Sequence, residues 1–389
     1  MSWEEGRGRG AGEADLGTMR YPTRALVELA AIRENVRLIR ETAGGAEVMA
    51  MVKADGYGHG AAAVAGAALA GGAGRIGVAY VEEALALREA GVGVPVMAMV
   101  CTRGDEYGRA VAAGVDLGVG GLRLLEEVAE AAVDAGRAAR VHLAVDTGMT
   151  REGANAQGWP ELVERALKAQ ASGRVEIVGI WSHLACADEP GHPSVAAQAR
   201  VFREAVELAE RAGVRPEVRH LANSAAALYL PETRWDLVRP GIAIYGLHPA
   251  PGLPDPGLRP AMTVVSQIAF TKRAAAGSGV SYGHAYTTPR DANVALVPAG
   301  YADGVPRNGG GVLELLAGGA RRRIAGRVCM DQFVVDLGDD VVEEGDEVVL
   351  FGPGDRGEPT AQDWAEALGT ISYEVVTRIG GRVPRTHLD

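Results

Sequence analysis

The run AMVKADGYGHG, residues 50–60, sets Lys53 at the end of a short apolar stretch and follows it with Tyr57 and three glycines. An amine held at such a point can form an imine with a carbonyl compound, because burial and nearby cations lower its pKa and expose the neutral form. A solvated rim lysine is the competing reading, since most lysines lie at surfaces. Other reactive side chains follow other apolar runs. Asp146 ends VHLAVD with Arg151 shortly after it, and His183 ends VEIVGIWSH. His220, Asn223 and Ser224 lie in EVRHLANS, and Arg239 and Gly241 in DLVRPGIAIYG. In ANSAA (222–226), Asn223 and Ser224 stand where a helix would begin, as a plain N-cap or as a cradle of hydroxyl and N–H groups for an anion.

Eight short apolar runs position these groups: 47–53, 75–80, 94–100, 116–120, 141–146, 175–183, 217–224 and 236–246. Stretches at helical spacing alternate with them, among them TRALVELAAIRENVRLIRETAG and SVAAQARVFREAVELAERAG, which end in a glycine suited to a C-cap. Eight strand signals alternating with helices over about 225 residues are the expectation for a (β/α)8 barrel, whose reactive groups gather at the C-terminal ends of the strands. An open doubly wound sheet is the alternative. The G-x-G-x-x-G match at Gly72, Gly74 and Gly77 precedes a strand instead of following one, the wrong side for a dinucleotide site.

The texture changes near residue 258. PGLPDPGLRP reads as a linker, and strand-like runs follow with one helix near AQDWAEALG. The expected organisation is a disordered tail over 1–19, a TIM-like barrel over 20–258 and a mostly β C-terminal domain over 259–389. That domain holds Tyr282, Tyr301, Met330 and Asp331 in glycine-flanked turns, where a tyrosine is either a turn residue or a functional one. An amine and a phosphate cradle on one rim, with Gly241 allowing close approach to the backbone, together point to pyridoxal phosphate.

Bulk properties exclude several classes. The formal charge is −11 and the pI about 5.3, with acidic and basic residues interspersed, so nucleic acid is not an expected partner. The Ala/Gly-rich stretch 60–74, between His59 and Arg75, is shorter than the roughly 18 apolar residues a spanning helix requires. The N-terminus lacks an apolar signal core, and Cys101, Cys186 and Cys329 are too scattered for a disulfide framework or zinc cluster. A soluble cytoplasmic protein is expected.

The motifs VKADGYGHG, DTGMTREG, SHLACADE, HLANSAA, VRPGIAIYG, VSYGHAY, GYADGVPR, GRVCMDQ and ISYEVVTR occur in this order. With them the chain resembles the bacterial alanine racemases from about residue 20 to its end. The resemblance implies a fold-type III enzyme that uses pyridoxal 5'-phosphate to interconvert L- and D-alanine, in a homodimer whose active sites each join one barrel rim to the partner's β domain. Lys53 would then carry the cofactor and serve as base on one substrate face, and Tyr282 of the partner subunit would serve on the other. Tyr57, His183, Asn223, Ser224, Gly241, Ile242 and Tyr373 match cofactor contacts, mainly to the phosphate. Arg239 matches the partner of the pyridine nitrogen, with His220 placed to orient it. His183 would belong to a cationic network that stabilises the Tyr282 phenolate. Arg151 and Met330 match contacts to the substrate carboxylate; Tyr301 and Asp331 match the substrate side of the site, whose mouth also includes Asp188, Arg307 and Arg327.

The sequence departs from the family pattern at Ala144, where many members carry a carbamylated lysine that positions the substrate arginine. Arg151 must be held by something else, such as Asp146, chloride or water. A broader or serine-type racemase, a fold-type III decarboxylase using Cys329, and a non-catalytic cofactor carrier are the competing expectations. Arg239 and Tyr282 speak against the second, and the presence of the β domain against the third.

Overall fold

The computed structural model describes residues 21–389 apart from residue 190. The tail over 1–19 lies outside the described residues.

Eight parallel strands form the barrel: Glu47–Met51, Arg75–Val78, Val96–Ala98, Val115–Val119, Ala139–Ala144, Val175–Trp181, Val218–His220 and Leu237–Val238. The last pairs with the first, while the seventh and eighth are joined by the Asp236 N–H to Arg219 carbonyl and Arg239 N–H to Ala222 carbonyl bonds, so the ring is nearly closed. Every residue of Arg75–Val78, Val96–Ala98 and Val115–Val119 is buried, as expected where a parallel sheet is covered on its outer face and filled inside. Several outer helices have one apolar face. Leu122–Asp134 turns Leu125, Val128, Ala129 and Ala132 inward, and burying a side chain such as Leu125 is worth about 1.5–3 kcal/mol. Pro193–Ala212 ends at Gly213 with φ 113°, the left-handed C-cap that glycine adopts most easily.

Three sequence expectations need correction. The segment beginning at Arg24 does not start as helix: Arg24–Glu28 is a strand, and the helix runs over Leu29–Thr42. That strand lies between Met262–Gln267 and Arg385–Leu388 in a nine-stranded sheet otherwise built from the C-terminal part of the chain. Its alternating burial is a period of two hidden at the front of a long helical pattern. Further on, a second short helix, Ser372–Thr377, follows Ala361–Leu368. The runs 217–224 and 236–246 also contribute shorter strands than their apolar length implies, because each turns into a helical segment at the rim: Ser224–Tyr229 and Ile242–Tyr245.

Candidate active site

At the C-terminal rim a cavity of about 320 Å3 is lined by Lys53, Tyr57, Arg151, His183, Asn223, Ser224, Arg239, Gly241, Ile242 and Tyr373, among others. Ten sequence candidates thus share one cavity. Tyr282, Tyr301, Met330 and Asp331 do not line it. They occupy adjoining exposed turns: the Ser281 hydroxyl donates to the Arg327 carbonyl, and the Tyr301 and Ala302 N–H groups donate to the Cys329 and Met330 carbonyls. Tyr282 is 71% exposed and Met330 53%. Asp331 is engaged by Arg382 at 2.6 Å.

Lys53 does not end its strand, which stops at Met51; it opens a tight turn. Ala54, Asp55, Gly56 and Tyr57 all have φ between 51° and 63°, a left-handed turn containing three residues with side chains. Each such residue costs about 1–2 kcal/mol, so the turn persists only because its surroundings hold it. Glu83 supplies much of that hold. One carboxylate oxygen accepts from Ala54 N at 2.6 Å, and the other from Ala79 N at 2.8 Å and Tyr80 N at 3.1 Å. From the C-terminal segment, Arg385 Nε donates to the Gly58 carbonyl at 2.9 Å and His387 Nε2 to the His59 carbonyl at 2.8 Å. Sequence reasoning missed Glu83, because in VEEALALREAG it looks like any charge in a helix's first turn.

Lys53 is open to solvent through the cavity mouth, yet the protein around it lowers its pKa, through desolvation first and then the Arg151 cation. Glu83 and Glu152 oppose this in part. The lowered pKa favours the neutral amine.

Arg239 is buried. One Nη donates to His220 Nδ1 at 2.9 Å; the other donates to the Ser182 carbonyl at 2.7 Å and to His183 Nδ1 at 3.1 Å. No carboxylate is among these partners. Burial lowers its pKa to about 9, which leaves it a cation at neutral pH. His183 is held neutral, its pKa lowered to about 3 by burial and then by Arg239, Arg151 and Lys53. This corrects the expectation that His183 contributes positive charge: crowded by cations, it accepts from one instead.

At the other end of the cavity, Ser224 Oγ accepts from Gly241 N at 2.8 Å and Ala243 N at 3.4 Å, and Asn223 caps Ser224–Tyr229 through its bond from Ala226 N at 3.1 Å. Tyr57 packs against Tyr245 and Tyr373, with ring centroids 4.8 and 6.1 Å away. Burial raises the pKa of both Tyr57 and Tyr373, so they face the cavity as neutral phenols.

Beside Ala144, Arg151 pairs with Glu152 at 2.7 Å. Asp146, one of the three expected partners, instead accepts from Gly148 N and Thr150 N at 2.9 and 3.0 Å and so ties its own loop.

Residues 27–249 match the family model for the alanine racemase N-terminal domain and residues 261–387 that for the C-terminal domain. The chain belongs to the alanine racemase family. It is 55% identical to an alanine racemase of Frankia casuarinae, over 94% of this chain and 96% of that one, and 54% identical to one of Thermobifida fusca, over 93% and 97%. The crystal structure of alanine racemase from D-cycloserine producing Streptomyces lavendulae superposes with a TM-score of 0.94 at 52% identity, covering 96% of this chain and 98% of that one. The fold of this family accounts for both parts of the chain, the nearly closed parallel barrel and the mostly β C-terminal part. Among the described residues no helix is long and apolar enough to cross a membrane.

Proposed function

We propose that this chain is an isomerase that interconverts L- and D-alanine with pyridoxal 5'-phosphate in the barrel cavity. The observation that carries the reading is one cavity holding an amine of lowered pKa, a hydroxyl and backbone cradle, and a buried guanidinium whose hydrogen-bond partners among the described residues include no carboxylate. The cavity fits the cofactor at a specific point. A Cβ on Gly241 would stand 2.2 Å from the Tyr57 hydroxyl, so glycine keeps backbone and phenol close together at the cradle. Ser224, Tyr57 and the backbone at 241–242 would hold the phosphate, Arg239 would face the ring nitrogen, and Lys53 would hold the aldehyde carbon. When bound, the cofactor supplies an electron-withdrawing ring that makes the substrate Cα–H acidic.

Racemisation requires one base on each face of Cα. Lys53 Nζ serves one face. Tyr57 and Tyr373 are poor bases for the other, since burial raises their pKa values. The second base is Tyr282 of the partner subunit, in a homodimer where the exposed patch of Tyr282, Tyr301, Met330 and Asp331 covers the neighbouring barrel rim. Arg151 and Met330 meet the substrate carboxylate. On this reading the units 20–258 and 259–389 act across the subunit boundary, in the cytoplasm, on small amino acids. A decarboxylase would oppose the ring nitrogen with an acidic residue, which the partners of Arg239 disfavour.

Mixing two inactive variants tests the shared site. Lys53→Ala and Tyr282→Phe chains, dissociated and reassociated, form hybrids in which one site has both wild-type bases. Alanine racemisation should return on mixing, read by chiral chromatography over a panel of L-amino acids; absence of recovery in verified hybrid dimers would refute the two-subunit assignment.

A further inference from the structure

The cavity floor continues into a column of polar side chains running down the barrel interior, where apolar layers are the rule. Asp116, His142 and His220 come from three different strands, and each is at most 1% exposed. Arg239 Nη1 donates to His220 Nδ1 at 2.9 Å, His220 Nε2 lies 2.9 Å from His142 Nδ1, and His142 Nε2 lies 3.3 Å from Asp116 Oδ2.

The proton positions along this column follow from one fact of inventory: a guanidinium has donors only. His220 Nδ1 must therefore accept, which puts the His220 proton on Nε2. That proton points at His142 Nδ1, which must accept in turn, so the His142 proton also sits on Nε2 and is donated to Asp116. Both rings are neutral and both have the same tautomer. Desolvation, and then Arg239, hold the His220 pKa well below its usual value, in keeping with a neutral ring. Asp116 ends the column as an acceptor on both oxygens, because Arg140 Nε donates to Oδ1 at 2.8 Å. Arg140 in turn bonds Glu217 at 3.1 Å, and Glu217 bonds Arg75 at 3.3 Å, in the ion-pair cluster at the N-terminal end of the barrel.

The backbone makes room for this column. The pairing of Ala139–Ala144 with Val175–Trp181 shifts register between Val141 and His142, and it sets His142 opposite Gly179. A Cβ on Gly179 would lie 2.0 Å from His142 Nδ1. A bulge and a glycine thus re-aim one side chain into the barrel axis. Trp181 closes the side of the column, stacked on His220 at 6.1 Å with the planes 6° apart and lying 5.3 Å below the Arg239 guanidinium carbon.

We infer that His142 and Asp116 are positioning residues for Arg239, fixing its guanidinium from the barrel floor through a hydrogen-bond chain of a single polarity. The inference rests on the proposed role of Arg239 opposite the cofactor ring. Any group that reverses the polarity brings a His220 Nδ1–H against an Arg239 N–H, donor against donor.

Nitrogen-15 NMR of the histidine-labelled holoenzyme tests the wild-type chain directly: His142 and His220 should both carry their proton on Nε2. A proton on Nδ1 of either ring overturns the inference. Variants add a second readout, pyridoxal phosphate affinity and its absorption spectrum. In His142→Gln the amide can accept from His220 and donate to Asp116, so affinity should stay within about threefold of wild type, whereas His142→Leu fills similar space without the chain and should lose more than tenfold, about 1.4 kcal/mol. If the leucine variant binds with wild-type affinity and spectrum, the column merely fills space and the inference falls. If the tautomers are as stated but Arg239→Ala leaves the spectrum unchanged, the chain stands and the proposed role of Arg239 is what fails.

Discussion

The Tyr57 hydroxyl occupies the space that a side chain on residue 241 would need, 2.2 Å from an ideal Cβ on Gly241. The two residues are far apart in sequence and come from opposite sides of the barrel seam, where Glu47–Met51 pairs with Leu237–Val238. Gly241→Ala should therefore push the phenol out of the cradle while leaving the distant core intact. The expected result is pyridoxal phosphate affinity weakened about tenfold or more, which is about 1.4 kcal/mol, with little change in the unfolding midpoint of the apoenzyme. Unchanged affinity in a cofactor titration would contradict the close approach.

Glu83 satisfies three backbone donors around the strained turn that presents Lys53. These donors are partly or fully open to solvent, where a hydrogen bond is worth a net of about 0.5–1.5 kcal/mol. Glu83→Ala should lower the unfolding free energy by an amount in that range and reduce kcat, because the amine is no longer held in one place. Denaturant melts and steady-state kinetics on the same preparation check both halves, and retention of full kcat would show that the turn holds without it.

Arg151 is tethered by Glu152 in an ion pair that is half open to solvent, with side-chain exposures of 52% and 28%. Such pairs contribute roughly 0–1 kcal/mol, so Glu152→Gln should raise KM for alanine by no more than about fivefold, with a smaller effect on kcat. The methyl of Ala144 supplies neither charge nor hydrogen bond beside this arginine, and KM is expected to respond to chloride. Kinetics of wild type, Glu152→Gln and Ala144→Lys with and without chloride decide the point; identical constants throughout would show that Arg151 needs neither the tether nor an anion.

His59 and His183 are held neutral by burial, with pKa values lowered to about 4 and about 3 from 6.5. Between those values the unfolded chain binds more protons than the folded one, so stability falls as pH falls. The loss should begin near pH 6.5 and continue to about pH 4 for His59 and about pH 3 for His183. Urea midpoints of the apoenzyme measured from pH 7.5 to 5 should decline, and less steeply in His183→Gln. A flat profile over that range would be inconsistent with neutral buried rings.

The rim residues could be read from the sequence because barrel architecture turns order along the chain into position: whatever follows an apolar run ends at the same mouth. Lys53, Arg239 and Gly241 were legible for that reason. Glu83 was not, because its three acceptor bonds join a helix N-terminus to a loop from the neighbouring strand, and nothing in VEEALALREAG marks it apart from the other two glutamates. The strand Arg24–Glu28 was hidden in the same way, by a period of two that merges into a helical period after Leu29.

His183 shows the limit from the electrostatic side. Its place on the rim follows from its run, but its charge depends on Arg239, Arg151 and Lys53 closing around it in space. The column from Asp116 to Arg239 is a similar case: Arg239 and His220 were legible, but with His142 and Asp116 they acquire a defined proton order only when the nearly closed barrel brings the four side chains into contact.

Periodicity and the motif order in the amino-acid sequence determined the barrel, the β-rich C-terminal part and the family, because alternation of apolar runs and helices is a local property that survives without coordinates. Tertiary structure decided which groups are neutral, which backbone is strained and which partner holds each arginine. Those depend on burial and on contacts between residues far apart in the chain, and both arise only when the strands close into a ring.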